Sequence, residues 1–205
     1  MAELAALLIG DAPEVWAGLG FVVDDGAVHV SGVRHQLGGA AKGVRDWSLR
    51  GLEDGVDAID GFPLGLDVAP AEPTPAHPNG VVALDHVVLF TPNLGRTIEA
   101  IESVGIDLRR VRDTGSPAEP RQQAFFKLGD VVLEVVGPKT PSGDGAPRFF
   151  GLAWTVDDPA ATAAFFGDKL KPFKDAVQPG RRIATLSSSA GSTVPHAFMS
   201  GEPAT

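Results

Sequence analysis

Cysteine is absent from the 205 residues. That single absence removes disulfides, thiolate nucleophiles and cysteine metal sites. Basic charge is scarce as well. Seventeen Lys and Arg stand against 26 Asp and Glu, for a net charge of -9. Binding to nucleic-acid phosphates depends on clustered cations, and here the basic residues are scattered apart from Arg109/Arg110/Arg112 and Arg181/Arg182. No nucleic-acid partner is therefore expected. Uninterrupted apolar runs of the ~18 residues a membrane span requires are also missing. The N-terminal Met1-Ala2-Glu3-Leu4 has no basic region ahead of its apolar stretch, so it does not read as a signal peptide. A cytoplasmic protein without a membrane partner is the expectation.

Present in quantity are 25 glycines and 17 prolines, which point to many turns between short elements. A repeat organises them. Residues 127–137 read as a hairpin with a tight Gly-Asp turn and an apolar second strand that contains Glu134. Residues 29–39 share the pattern, closing at Gly38-Gly39 and placing Gln36 in the position of Glu134. A second alignment starts from strand-to-helix segments. Leu84-Asp-His-Val-Val-Leu-Phe-Thr-Pro-Asn93 runs into a helix whose apolar positions are Leu94, Ile98, Ile101 and Val104. Asn93 is its N-cap and Gly105 its end. Phe149 to Asp158 repeats the design, with Asp158 as N-cap and Pro159 at the first helical position.

Strand, helix and three short strands thus occur twice, at 82–138 and 149–200. The expected fold class is α+β, built from paired βαβββ modules with a shorter, degenerate N-terminal copy. The expected division is an N-terminal domain over 1–67, a Pro/Ala-rich linker over 68–81 and the paired modules over 82–202. The truncated N-terminal repeats are read as covers for sheet edges or as a dimer surface.

The Leu84-Asp-His86 strand, the Thr-Pro-Asn step into a helix and the hairpin ending Leu133-Glu134-Val135 together resemble the vicinal oxygen chelate superfamily of glyoxalases, bleomycin-resistance proteins and dioxygenases. The resemblance implies two βαβββ modules whose curved sheets enclose a cup. Metal ligands then come from the first and last strand of each module. On this chain His86 and Glu134 fall on such positions, with Glu134 also as general base. Imidazole and carboxylate suit Fe, Mn, Ni or Zn. The second module carries Gly151 and Phe198 at the matching places, so either one divalent metal or none is implied.

Alternation along the strands sets the rest of the expected site. Val88 and Phe90 share the face of His86, while Val87 and Leu89 lie under the helix. Gln123, Phe125, His196 and Phe198 complete the substrate-binding set, together with Arg182 as the anion anchor of the Arg181-Arg182 pair. Trp154 and Trp47 are read as core, His29 and His35 as surface imidazoles, and His77 as a linker residue without chemistry. Two functions remain open. One is an enzyme acting on a small oxygenated molecule as lyase, isomerase or dioxygenase. The other is a non-catalytic protein that sequesters such a molecule, and a homodimer fits either.

Overall fold

The computed structural model describes residues 1–38, 41–65 and 70–201. The expected domain boundary at 67–68, the C-terminal limit at 202 and the Gly39 turn position lie outside these residues.

The N-terminal region opens with β1 (Glu3–Ile9), the short helix α1 (Pro13–Gly18), β2 (Ala27–Val30), β3 (Val33–Leu37) and β4 (Val44–Arg50). They form one sheet of order β2-β3-β1-β4. Within it β1 runs parallel to β3 and antiparallel to β4. A small hairpin of β5 (Ala58–Ile59) and β6 (Phe62–Pro63) follows.

The first module comprises β7 (Val81–Phe90), α2 (Leu94–Ser103), β8 (Leu108–Gly115), β9 (Pro120–Leu128) and β10 (Val131–Pro138). The second comprises β11 (Arg148–Val156), α3 (Pro159–Phe166), β12 (Lys174–Asp175), β13 (Arg182–Thr185) and β14 (His196–Ser200). All eight strands join one sheet, ordered β12-β13-β14-β11-β7-β10-β9-β8. In each module the first strand lies parallel to the last, and the two first strands pair antiparallel at the centre. This is the expected α+β architecture of paired βαβββ modules.

Local chemistry explains the two helices. Asn93 caps α2 by accepting a hydrogen bond from the backbone N–H of Arg96 at 3.2 Å. Asp158 caps α3 by accepting from the N–H groups of Ala160 and Ala161, and Pro159 occupies the first turn. Asp60, in the turn of the β5–β6 hairpin, accepts hydrogen bonds from Arg96 at 2.6 Å and from Thr97 Oγ1, which ties that hairpin to the start of α2.

The sheet has two faces with different tasks. Val87 and Leu89 are buried on the helix-bearing face, and His86, Val88 and Phe90 are only half-buried on the other. The N-terminal sheet packs across the helix-bearing face rather than along an edge. Trp16 and Phe21 meet Trp154 at 6.0 and 5.0 Å between ring centroids, and Trp47 meets Phe149 at 5.4 Å. Both Trp47 and Trp154 are core residues.

His35 is a correction to the sequence reading. It is fully buried against Trp154, 5.2 Å away, with Nδ1 donating to the Val28 carbonyl. The expectation of a surface imidazole failed because the second sheet covers that side of β3. The segment before β7 is also docked. His77 Nδ1 accepts from the Val22 N–H, and Asn79, with no exposed surface, donates to the Leu19 carbonyl. Among the described residues no helix is long and apolar enough to cross a membrane.

Candidate functional site

The free face of the eight-stranded sheet curls into a cup whose cleft holds about 250 Å³. Its floor is made by β7 and β10. Val88 lies opposite Glu134 in the parallel register, so Glu134 and His86 stand one pleat apart on neighbouring strands and share a face. His86 Nε2 is 3.9 Å from Glu134 Oε2, and each side chain keeps 14% of its surface exposed.

Asp85 joins them by an irregularity of β7. His86 pairs with Ala153 and Leu84 with Trp154, leaving Asp85 as an extra residue in the strand. Such a bulge breaks the alternation, and Asp85 lines the same cleft as His86. Its Oδ1 accepts the Nδ1 proton of His86 at 2.8 Å. Its Oδ2 accepts from Arg181 at 2.6 Å and from Thr155 Oγ1 at 3.2 Å. Burial alone would raise the Asp85 carboxyl, but the bonds from His86 and Arg181 outweigh it and hold the group down at about 2. Asp85 is therefore an anion that fixes which ring nitrogen of His86 carries a proton and which way Nε2 points.

Glu134 is anchored from the other side. Gln123 Nε2 donates to Glu134 Oε1 at 2.5 Å, and the Gln123 carbonyl oxygen accepts from the Arg112 guanidinium. Two bonded chains, Arg112–Gln123–Glu134 and His86–Asp85–Arg181, thus face each other across the 3.9 Å between His86 and Glu134.

Of the residues expected from the sequence, His86, Glu134 and Phe125 line the cleft, and Gln123 supports it. Val88 and Phe90 lie on the same face farther along β7. There Phe90 stacks on Phe150 with centroids 4.4 Å apart.

The structure places the other three elsewhere. Arg182 is exposed and donates to the Phe173 carbonyl, while its neighbour Arg181 turns inward to Asp85. His196 and Phe198 face the opposite side of the sheet. The register sets them beside Leu152 and Trp154, on the buried face. His196 Nδ1 accepts from Trp154 Nε1 at 2.9 Å, and Phe198 packs on Phe166 of α3. Ala197, between them, is the β14 residue that shares the cup face with Ala153.

Sequence reasoning missed Asp85, Arg181 and the arginines of β8. Arg181 was legible as one of a pair pointing to opposite faces. Asp85 was not, since strict alternation sends it away from His86.

The donors present do not fit a metal site of the usual open kind, which has three protein ligands. His86 Nε2 and Glu134 Oε2 are two. The Gln123 carbonyl is taken by Arg112, and among the described residues no group of three or more His, Cys, Asp or Glu could hold an ion. At Gly151, the place matched to His86, the backbone itself forbids a ligand. A Cβ there would stand 2.7 Å from the Pro195 carbonyl oxygen.

No protein-family model matches the chain, and no curated protein matches it. Similar solved structures include methylmalonyl-CoA epimerase from Mycobacterium tuberculosis, at 18% identity over 60% of this chain and 91% of that one, with a TM-score of 0.48. A Streptomyces coelicolor methylmalonyl-CoA epimerase in complex with 2-nitronate-propionyl-CoA has 17% identity, covers 60% and 99%, and scores 0.46. A hypothetical protein from Bacillus halodurans has 14% identity, covers 60% and 96%, and scores 0.45. Strand order, pairing and the central antiparallel β7–β11 contact are those of two βαβββ modules joined in one sheet.

Proposed function

We propose that the cup binds a small oxygenated molecule and that Glu134 and His86 move a proton on it, as an isomerase or epimerase does. The observation that carries this reading is the His86–Glu134 pair, 3.9 Å apart in a concave floor, with Asp85 fixing the imidazole. A general base must lie within reach of the proton it takes, and both groups face the same cleft. The Glu134 carboxylate removes a proton from a carbon beside a carbonyl. The C–H electron pair moves into the new C–C double bond, and the negative charge passes to the carbonyl oxygen. The proton passes from Glu134 to the His86 Nε2 lone pair, which Asp85 holds toward it by keeping the other proton on Nδ1. The imidazolium so formed returns a proton from Nε2 to that carbon. The donor set for a metal is incomplete, with His86 Nε2 and Glu134 Oε2 as its two members.

Deuterium exchange tests the reading. Small 2-oxo acids, malonyl-type and acyl thioester probes in D2O are followed by proton NMR with the full chain. Exchange is expected for at least one class, and Glu134→Gln and His86→Ala slow it by roughly 10²- to 10³-fold, the usual worth of a positioned acid or base. Exchange that survives both substitutions unchanged would exclude the pair. Chelation with EDTA leaves the rate unaltered on this account, and loss of activity that added divalent metal restores would argue against it. The reading of a protein that only sequesters its ligand is favoured by one feature, the empty second half of the site at Gly151 and Ala197. It requires binding without exchange in every class.

A further inference from the structure

We propose that the ligand carries an oxyanion, a phosphate or a carboxylate, and that this group is held on the β8 rim of the cup by Arg109, Arg110 and Lys127. The inference rests on the cup being the ligand site and extends it to a substrate class.

In a chain with nine more acids than bases, the rim of this cleft is the exception. Between Leu108 and Arg110 the β8–β9 register skips a residue, and this irregularity brings both Arg109 and Arg110 to the cleft. Across from them Lys127 of β9 lines the same space. Among the described residues none of the three has a carboxylate partner. Lys127 Nζ donates only to the Asp130 carbonyl, at 3.2 Å.

The two carboxylates nearby are committed on the floor. Glu134 is bonded to Gln123, and Asp85 is held between His86 and Arg181. The rim charges are thus left for something from outside.

Their placement is organised. Arg110 lies over the Phe125 ring at 5.0 Å from its centroid, and Arg112 over the same ring at 5.5 Å. Arg112 is tethered to Gln123. An arginine stacked on an aromatic face keeps its fork of donors free for a bidentate oxyanion. Arg110 pairs with Phe125, and Phe125 with Glu134. The rim therefore stands two strand spacings, about 10 Å, from the floor carboxylate. A molecule that reaches both has its charged group separated from its reacting carbon, with the flat Phe125 ring between.

Titration of the full chain with inorganic phosphate, pyrophosphate, malonate and uncharged propionamide, read by amide NMR, tests this. Saturable shifts over residues 109–127 are expected with the anions and not with propionamide. Stronger binding of the phosphates identifies a phosphoryl group, and stronger binding of malonate a carboxylate. The double substitution Arg109→Gln/Arg110→Gln, at exposed positions, weakens binding roughly tenfold or more, while Arg182→Gln, away from the cup, leaves it unchanged. Equal loss in both variants, or no saturable shift at millimolar concentration, would overturn the proposal. The two readings fail separately. Anion binding without proton exchange on any probe removes the proton-transfer mechanism alone. Exchange equally fast on charged and uncharged probes removes the rim assignment alone.

Discussion

Asp85 is the residue on which the site turns. It accepts from His86 and Arg181 at once, with side chains that keep only 14% and 10% of their surface exposed for the aspartate and the arginine. Asp85→Ala leaves the Arg181 cation buried without its partner, a change that costs roughly 3 kcal/mol in comparable pairs. Urea denaturation reads it, and a loss below a few tenths of a kcal/mol would show the pair to be solvated. Gly151 is the opposite case, a residue defined by what cannot be there. Gly151→Ala pushes a methyl to 2.7 Å from the Pro195 oxygen and is expected to destabilise the chain by about 1–3 kcal/mol. A melting curve unchanged by the substitution would mean that β14 can give way.

At the scale of elements, alternation and capping were legible in the sequence. Val87 and Leu89 inward with His86, Val88 and Phe90 outward follows from the period of two, and Asn93 and Asp158 stand at the N-caps they suggest. Asn93→Ala removes an accepted backbone bond, and α2 should lose about 1 kcal/mol. Faster hydrogen exchange at the first turn of α2, with α3 unaffected, checks this. What was not legible were interruptions of the period. The extra residue at Asp85 comes from how β7 pairs with β11, and no local pattern announces it. Parity also failed for His196 and Phe198, because a count carried from Glu134 of one module cannot locate where β14 meets β11. Arg181 and Arg182 differ by the same single step of parity, and the register of β13 on β14 decided between them.

Across the whole molecule, the N-terminal sheet and the paired modules share an interior rich in neutral imidazole. Three of the five histidines, His35, His77 and His196, pack with Trp16, Phe21 and Trp154 there. Asp11 closes the contact by accepting from Trp16, Ser192 and Thr193, and Ser192 is bonded to His196 at 3.0 Å. Burial lowers His35 from 6.5 to about 3 and His196 from 6.5 to about 4. Above pH 6.5 both are neutral folded or unfolded and pH has no leverage. Below it the unfolded chain takes up protons that the folded one refuses. Stability therefore falls as pH drops from 6.5 toward 4, by up to about 1.4 kcal/mol per pH unit for each histidine. The lowered Asp11 and Asp85 carboxyls add to the loss only below the ordinary aspartate value of 3.8. Urea unfolding at pH 7, 6 and 5 should show the decline, and His196→Gln should flatten part of it. Equal stability at pH 7 and 5 would contradict a neutral interior.

His86 presents Nε2 to the cup opposite Glu134 because Asp85 holds its Nδ1 proton. Long-range proton–nitrogen NMR of the His86 imidazole, with and without saturating malonate, tests it most directly. A protonated Nδ1 in the free protein and a change at Nε2 when the anion enters are expected. A proton resident on Nε2 with Nδ1 bare, or an imidazole indifferent to the ligand, would contradict it.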